Sequence, residues 1–150
     1  MTRDARVCLR MPSPPNKPSS DSPAPGTILV VEPDILVRMV IADYLRGCGY
    51  KVLEGVTADD VKAVLGSGKQ IDIIFAEVQL SGGMDGFGLA QWVRDNHSGI
   101  DVILTSGAAK AAEKAGDLCD DGPLAKPYHP QEVYRRIKIL LERRRTAPKP

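Results

Sequence analysis

The chain has 150 residues, 43% of them hydrophobic and 26% charged, with a formal net charge of +1. That is room for one domain with a substantial core, since a chain of this size buries roughly two-thirds of its unfolded surface. A net charge so near zero supplies no bulk attraction to nucleic acid or acidic lipid, and no apolar run is long enough to span a bilayer.

Met1 to Gly26 is crowded with Pro, Ser and Asn and offers almost nothing to bury, so residues 1–26 are expected to form a disordered leader, with Met11 as an alternative start. The apolar group Val7, Cys8 and Leu9 is too short for a secretory signal, and Cys8, Cys48 and Cys119 have neither disulfide nor metal-ligand spacing. A reducing, cytoplasmic setting follows.

From Thr27 the character changes. Ile28 to Val31 form a continuous apolar run suited to a strand covered on both faces. Val37, Val40, Ile41, Tyr44 and Leu45 then recur at helical spacing, and Gly47 and Gly49 supply stop signals. The alternation repeats. Tyr50 to Leu53 reads as a strand, Thr57 to Leu65 as a helix, Ile71 to Val78 as a buried strand and Phe87 to Val93 as a helix. Val102 to Leu104, a short helix around Ala108 to Ala115, a brief strand near Leu124 and a final helix carrying Val133, Ile137, Leu140 and Leu141 complete the series. Five such units predict an α/β fold, a doubly wound five-stranded parallel sheet with helices on both faces. In these sheets functional groups gather at the carboxyl ends of the strands. The residues there are Glu32, Pro33 and Asp34; Glu77; Thr105, Ser106 and Gly107; and Lys126 with Pro127. Carboxylates after the first and third strands could bind a divalent cation, and the lysine could instead pair with one of them.

The stretches TILVVEPDILVR, IIFAEVQLSGGMDG, VILTSG and LAKPYHPQEV resemble, in order and spacing, the motifs of response-regulator receiver domains, the CheY-like, flavodoxin-like superfamily. The resemblance covers residues 27–144 and leaves 145–150 as a basic tail. It implies a phosphoacceptor aspartate after the third strand, Mg²⁺ held by that aspartate and an acidic pair after the first, a switch hydroxyl and a phosphoryl-contacting lysine. Lys126 matches the lysine, Pro127 the proline after it, a candidate cis peptide, and Ser106 with Gly107 the switch hydroxyl and its small neighbour.

Three positions depart from the family. Glu77 stands where the phosphoacceptor Asp is expected, and its extra methylene displaces the carboxylate by about 1.5 Å, enough to spoil an in-line attack. Pro33 replaces the second acid of the metal pair, leaving Glu32 and the adjacent Asp34, which serves either as a substitute ligand or as a favourable charge at a helix start. Pro123 replaces the usual switch aromatic. Mg²⁺ binding is therefore expected to be weak or absent, with no cofactor, no metal site and no catalytic residue. Glu77 either mimics a phosphoryl group or forms a plain ion pair with Lys126.

No effector domain follows in the sequence, so the expected function is that of a stand-alone, degenerate receiver in two-component phosphorelay signalling. It would act by binding a protein partner: a histidine kinase, a phosphotransfer protein or a downstream effector. A homodimer through the last helix and strand is a further expectation; membrane association is not. Two rival readings are a phosphorylatable receiver with a rearranged acidic site, and a nucleic-acid binder using Arg143 to Lys149. The arginine-rich end reads foremost as a solvated helix face, since no aromatic residues interleave it. His97 and His129 are expected to be exposed, and Phe87 and Trp92 to pack.

Overall fold

The computed structural model describes residues 26–106 and 124–146. Residues 1–25, Gly107, the stretch from Ala108 to Ala115 where a short helix is expected, Pro123 and residues 147–150 lie outside the described residues. Five strands, β1 (Thr27–Val31), β2 (Lys51–Gly55), β3 (Ile73–Glu77), β4 (Asp101–Ser106) and β5 (Leu124–Ala125), form one sheet in the order β2-β1-β3-β4-β5. All four pairings are parallel. β1 and β3 are central and read as uninterrupted buried runs because helices cover both of their faces.

The described helices are α1 (Ile35–Gly47), α2 (Ala58–Gly66), α3 (Gly86–Asn96) and α4 (Pro130–Thr146). Ile41, Ala42 and Leu45 of α1 and Val133 and Ile137 of α4 pack on Ile28, Val30, Ile73, Phe75 and Ile103. Ala58 and Val61 of α2 and Leu89, Ala90 and Val93 of α3 pack on Leu29, Val31, Ile74, Ala76 and Leu104. Alternate residues of each strand thus serve opposite faces, as a side-chain period of two requires. The predicted doubly wound α/β architecture is the one observed.

Each helix that follows a central strand is started by a side-chain cap. Asp34 accepts from the backbone N–H of Leu36 at 2.9 Å and Val37 at 3.2 Å, and Asp85 accepts from Gly88 at 2.8 Å. Thr57 and Asp60 close a reciprocal capping box at α2.

The structure corrects three expectations. Val40 belongs to the outer face of α1, since Ile41, Ala42 and Leu45 already fill the inner one. His97 is partly buried against Trp92, with ring centroids 5.4 Å apart, rather than exposed. Arg144 leaves the solvated basic run: its guanidinium bonds Asp101 at 2.8 Å and the Gly99 carbonyl, tying α4 to the start of β4.

Candidate functional site

The strand order reverses between β1 and β3, so the chain leaves those two strands in opposite directions and opens a crevice at their carboxyl ends. Glu32 and Glu77 stand on its two sides. Glu77 ends β3, and Glu32 prolongs β1 by one residue, its N–H donating to the Gly55 carbonyl at 3.1 Å. Both share the strand parity of Val30 and Phe75, so both side chains lie on the α1–α4 face of the sheet. Lys126 follows Leu124 by two residues and arrives on that same face.

The result is a cation between two carboxylates. Lys126 Nζ lies 2.6 Å from Glu77 Oε2 and 2.9 Å from Glu32 Oε2. The glutamates are 6% and 3% exposed, so their charges depend on protein partners rather than water. Their remaining bonds are alike: Glu32 Oε1 accepts from the Asp34 N–H and Glu77 Oε1 from the Gln79 N–H, each at 3.1 Å and each two residues ahead. Glu77 Oε2 also accepts from the Thr105 hydroxyl at 3.2 Å. Burial alone would lower the Lys126 pKa, but its hydrogen bonds to Glu77 and Glu32 and their charges outweigh that and raise it.

Asp34 is not part of this cluster. Its carboxylate caps α1 and is exposed, which favours the helix-start reading over a substitute ligand. Ser106 is buried, and its carbonyl accepts the Lys126 N–H at 3.0 Å, which seats β5 beside β4. The Lys126–Pro127 peptide is cis.

Three contributors had no role from sequence: Thr105, placed at the strand end without one, and Arg38 and Tyr128, which were not singled out. Thr105 pairs in register with Glu77 across β3 and β4, so its side chain shares the carboxylate's face while Ser106 falls on the next position. Register was the missing signal. Arg38 donates to the Glu32 carbonyl at 2.7 Å and meets Glu54 at 3.4 Å, anchoring the end of β1 to α1. Tyr128 packs edge-on against Phe75 at 5.7 Å, and its buried hydroxyl has no hydrogen-bond partner among the described residues. Burial, then the charge of Glu32, pushes its pKa up to about 12.

The response regulator receiver domain family matches residues 28–138. The chain belongs to that family. Among curated relatives, this receiver is 30% identical over 122 residues to the transcriptional regulatory protein GltR of Pseudomonas aeruginosa, covering 78% of this chain and 49% of GltR. It is 30% identical over 126 residues to the phosphate regulon regulatory protein PhoB of the same organism, covering 81% of this chain and 53% of PhoB. The chain thus spans about half the length of these relatives. The receiver domain of Francisella response regulator 1452 superposes with a TM-score of 0.71 at 20% identity, over 79% of this chain and 98% of that one, and shares the fold. As a receiver the chain is a module of two-component signalling. Among the described residues, no helix is long and apolar enough to cross a membrane.

Proposed function

We propose that this receiver signals by protein association, from a site in which a fixed ion triad stands in for metal-dependent phosphoryl chemistry. The observation that carries this is Lys126 Nζ held between Glu77 at 2.6 Å and Glu32 at 2.9 Å. The donor set fits Mg²⁺ poorly, because that ion needs near-octahedral oxygen ligation at about 2.0–2.1 Å. An ammonium already occupies the space between the two carboxylates, Pro33 has no side-chain donor, and the Asp34 carboxylate is engaged at α1.

The Glu77 carboxylate takes a lysine, a threonine hydroxyl and a backbone N–H, the donor types that would hold a phosphoryl oxygen. That supports partial mimicry, with less charge and fewer acceptors than a phosphoryl group has. The proposed partner is a histidine kinase, a phosphotransfer protein or an effector, met in the cytoplasm.

The test is intact mass after incubation with a small-molecule phosphodonor and Mg²⁺. An unchanged mass is expected. A stoichiometric, base-labile phosphoryl adduct would overturn the proposal and restore the phosphorylatable reading.

A further inference from the structure

Arg38 touches the site through the main chain. Its guanidinium donates to the Glu32 carbonyl at 2.7 Å, and among the described residues no other group bonds that oxygen. Glu32 is buried, so without Arg38 the carbonyl would lie in the interior with its acceptor unmet. The same residue is fixed on its other side, since its N–H bonds the Gly55 carbonyl, and Pro33 confines the residue before it to extended geometry. With its main chain held, the Glu32 carboxylate spans from the Asp34 N–H at 3.1 Å to Lys126 at 2.9 Å.

Arg38 is in turn aimed by its own partner. Its Nε lies 3.4 Å from Glu54 Oε1, the other Glu54 oxygen meets Arg46 at 3.0 Å, and Arg46 meets Asp43 at 3.5 Å. Side-chain exposure falls along this line, from 73% at Asp43 through 43% at Arg46 and 33% at Glu54 to 16% at Arg38. Charge alternates at every step, so each group favours the position of the next. The outer pairs contribute little to stability by themselves, because water screens them. The inner end differs: the Arg38 guanidinium is largely withdrawn from water, and its bond to the Glu32 carbonyl is charge-assisted. Arg144 supplies the contrast. It too bonds a carboxylate and a carbonyl, but at the start of β4, the opposite edge of the sheet from Lys126.

We infer that Arg38, held by Glu54, is a positioning residue of the ion triad: it locks the Glu32 main chain and so keeps Lys126 seated between the two carboxylates. This rests on the reading of the triad as the functional site. It adds what sets that site, an ion-pair line that begins on the exposed side of α1 and β2 and ends at Glu32.

NMR of the full, nitrogen-15-labelled chain tests this by reading how fast the Lys126 ammonium protons exchange with water in cold, slightly acidic buffer. In the parent they should exchange more slowly than those of the exposed Lys51 and Lys69. Arg38→Met should speed Lys126 exchange by about tenfold, the equivalent of one charge-assisted hydrogen bond. Glu54→Gln, which keeps the side chain's shape and sheds its charge, should speed it by about threefold, and it decides alone if Arg38→Met does not fold. Arg144→Met removes a comparable tie elsewhere and should leave Lys126 as in the parent. Exchange unchanged in a folded Arg38→Met or in Glu54→Gln, or accelerated as much in Arg144→Met, would overturn the inference while leaving the triad in place. A parent whose Lys126 already exchanges like Lys51 would remove the triad itself, and the proposed function with it.

Discussion

Gly86 sits so close beneath Glu77 that a Cβ on it would lie 2.5 Å from the Glu77 carbonyl oxygen and 2.6 Å from the Val78 Cα. Both neighbours are backbone, so neither can turn aside. The first residue of α3 is thereby pressed against the strand end that carries the site, and the Gly86 N–H donates to the Val78 carbonyl at 2.7 Å. Gly86→Ala should therefore force β3 and α3 apart, at a cost of about 1–3 kcal/mol in urea unfolding. Gly83→Ala, with nothing within 4 Å of its added Cβ, is the control and should stay within about 0.5 kcal/mol.

Removing the bridging ammonium should hurt more than its solvent-facing position suggests. Lys126→Met leaves Glu32 and Glu77 buried without their shared cation. Breaking a fully buried pair costs about 3–5 kcal/mol, and the 27% exposure of the lysine side chain discounts this to about 2 kcal/mol. Adding Glu32→Gln and Glu77→Gln to that variant should recover most of the loss at neutral pH. If the triple variant is no more stable than Lys126→Met, the two carboxylates are not the cause.

The fold was legible because its signals repeat. Ile28 to Val31 and the run around Ile73 to Phe75 are too apolar for half-exposed strands, and each was followed by a capped amphipathic stretch. Glu32, Glu77 and Lys126 could be located for the same reason: each ends an apolar run at the one edge where such a fold gathers its side chains. What one chain in isolation does not display is pairing register. Choosing between Thr105 and Ser106 as the hydroxyl beside Glu77 needs the alignment of β3 on β4, which follows from backbone packing. Val40 shares the helical spacing of Ile41 and Leu45 yet lies outside, because α1 has apolar residues on two faces and periodicity alone does not say which one meets the sheet.

Stability should fall steeply in alkali. Burial raises Tyr128 and Tyr50 to about 12, and Lys126 is raised by its glutamates. For these groups the unfolded chain loses its proton at a lower pH than the folded one. Their contribution is fully present below about pH 10 and is lost as pH rises towards 12, at up to about 1.4 kcal/mol per pH unit for each tyrosine. Tyr128→Phe removes a buried hydroxyl that has no hydrogen-bond partner among the described residues, so it should stabilise the protein by about 1 kcal/mol at pH 7 and flatten the alkaline slope. Urea titrations at pH 7, 10 and 11 check both signs. A destabilised Tyr128→Phe at pH 7 would mean that the hydroxyl is satisfied in solution.

The strongest check on the site separates Asp34 from Pro33. If Asp34 serves α1 alone, Asp34→Ala should cost about 1 kcal/mol, the usual worth of a helix cap, and leave any response to Mg²⁺ unchanged. Pro33→Asp with Glu77→Asp instead adds a donor where the chain has none and shortens the carboxylate opposite, releasing Lys126 from its 2.6 Å contact. The melting temperature of the parent should be indifferent to roughly 10 mM Mg²⁺. That of the double variant should rise by several degrees, because a ligand that binds only the folded state stabilises it in proportion to RT ln(1 + [L]/Kd). A parent that melts higher in Mg²⁺ but not in Ca²⁺ or high salt would show that Lys126 yields its place to a cation, and that the triad is not fixed.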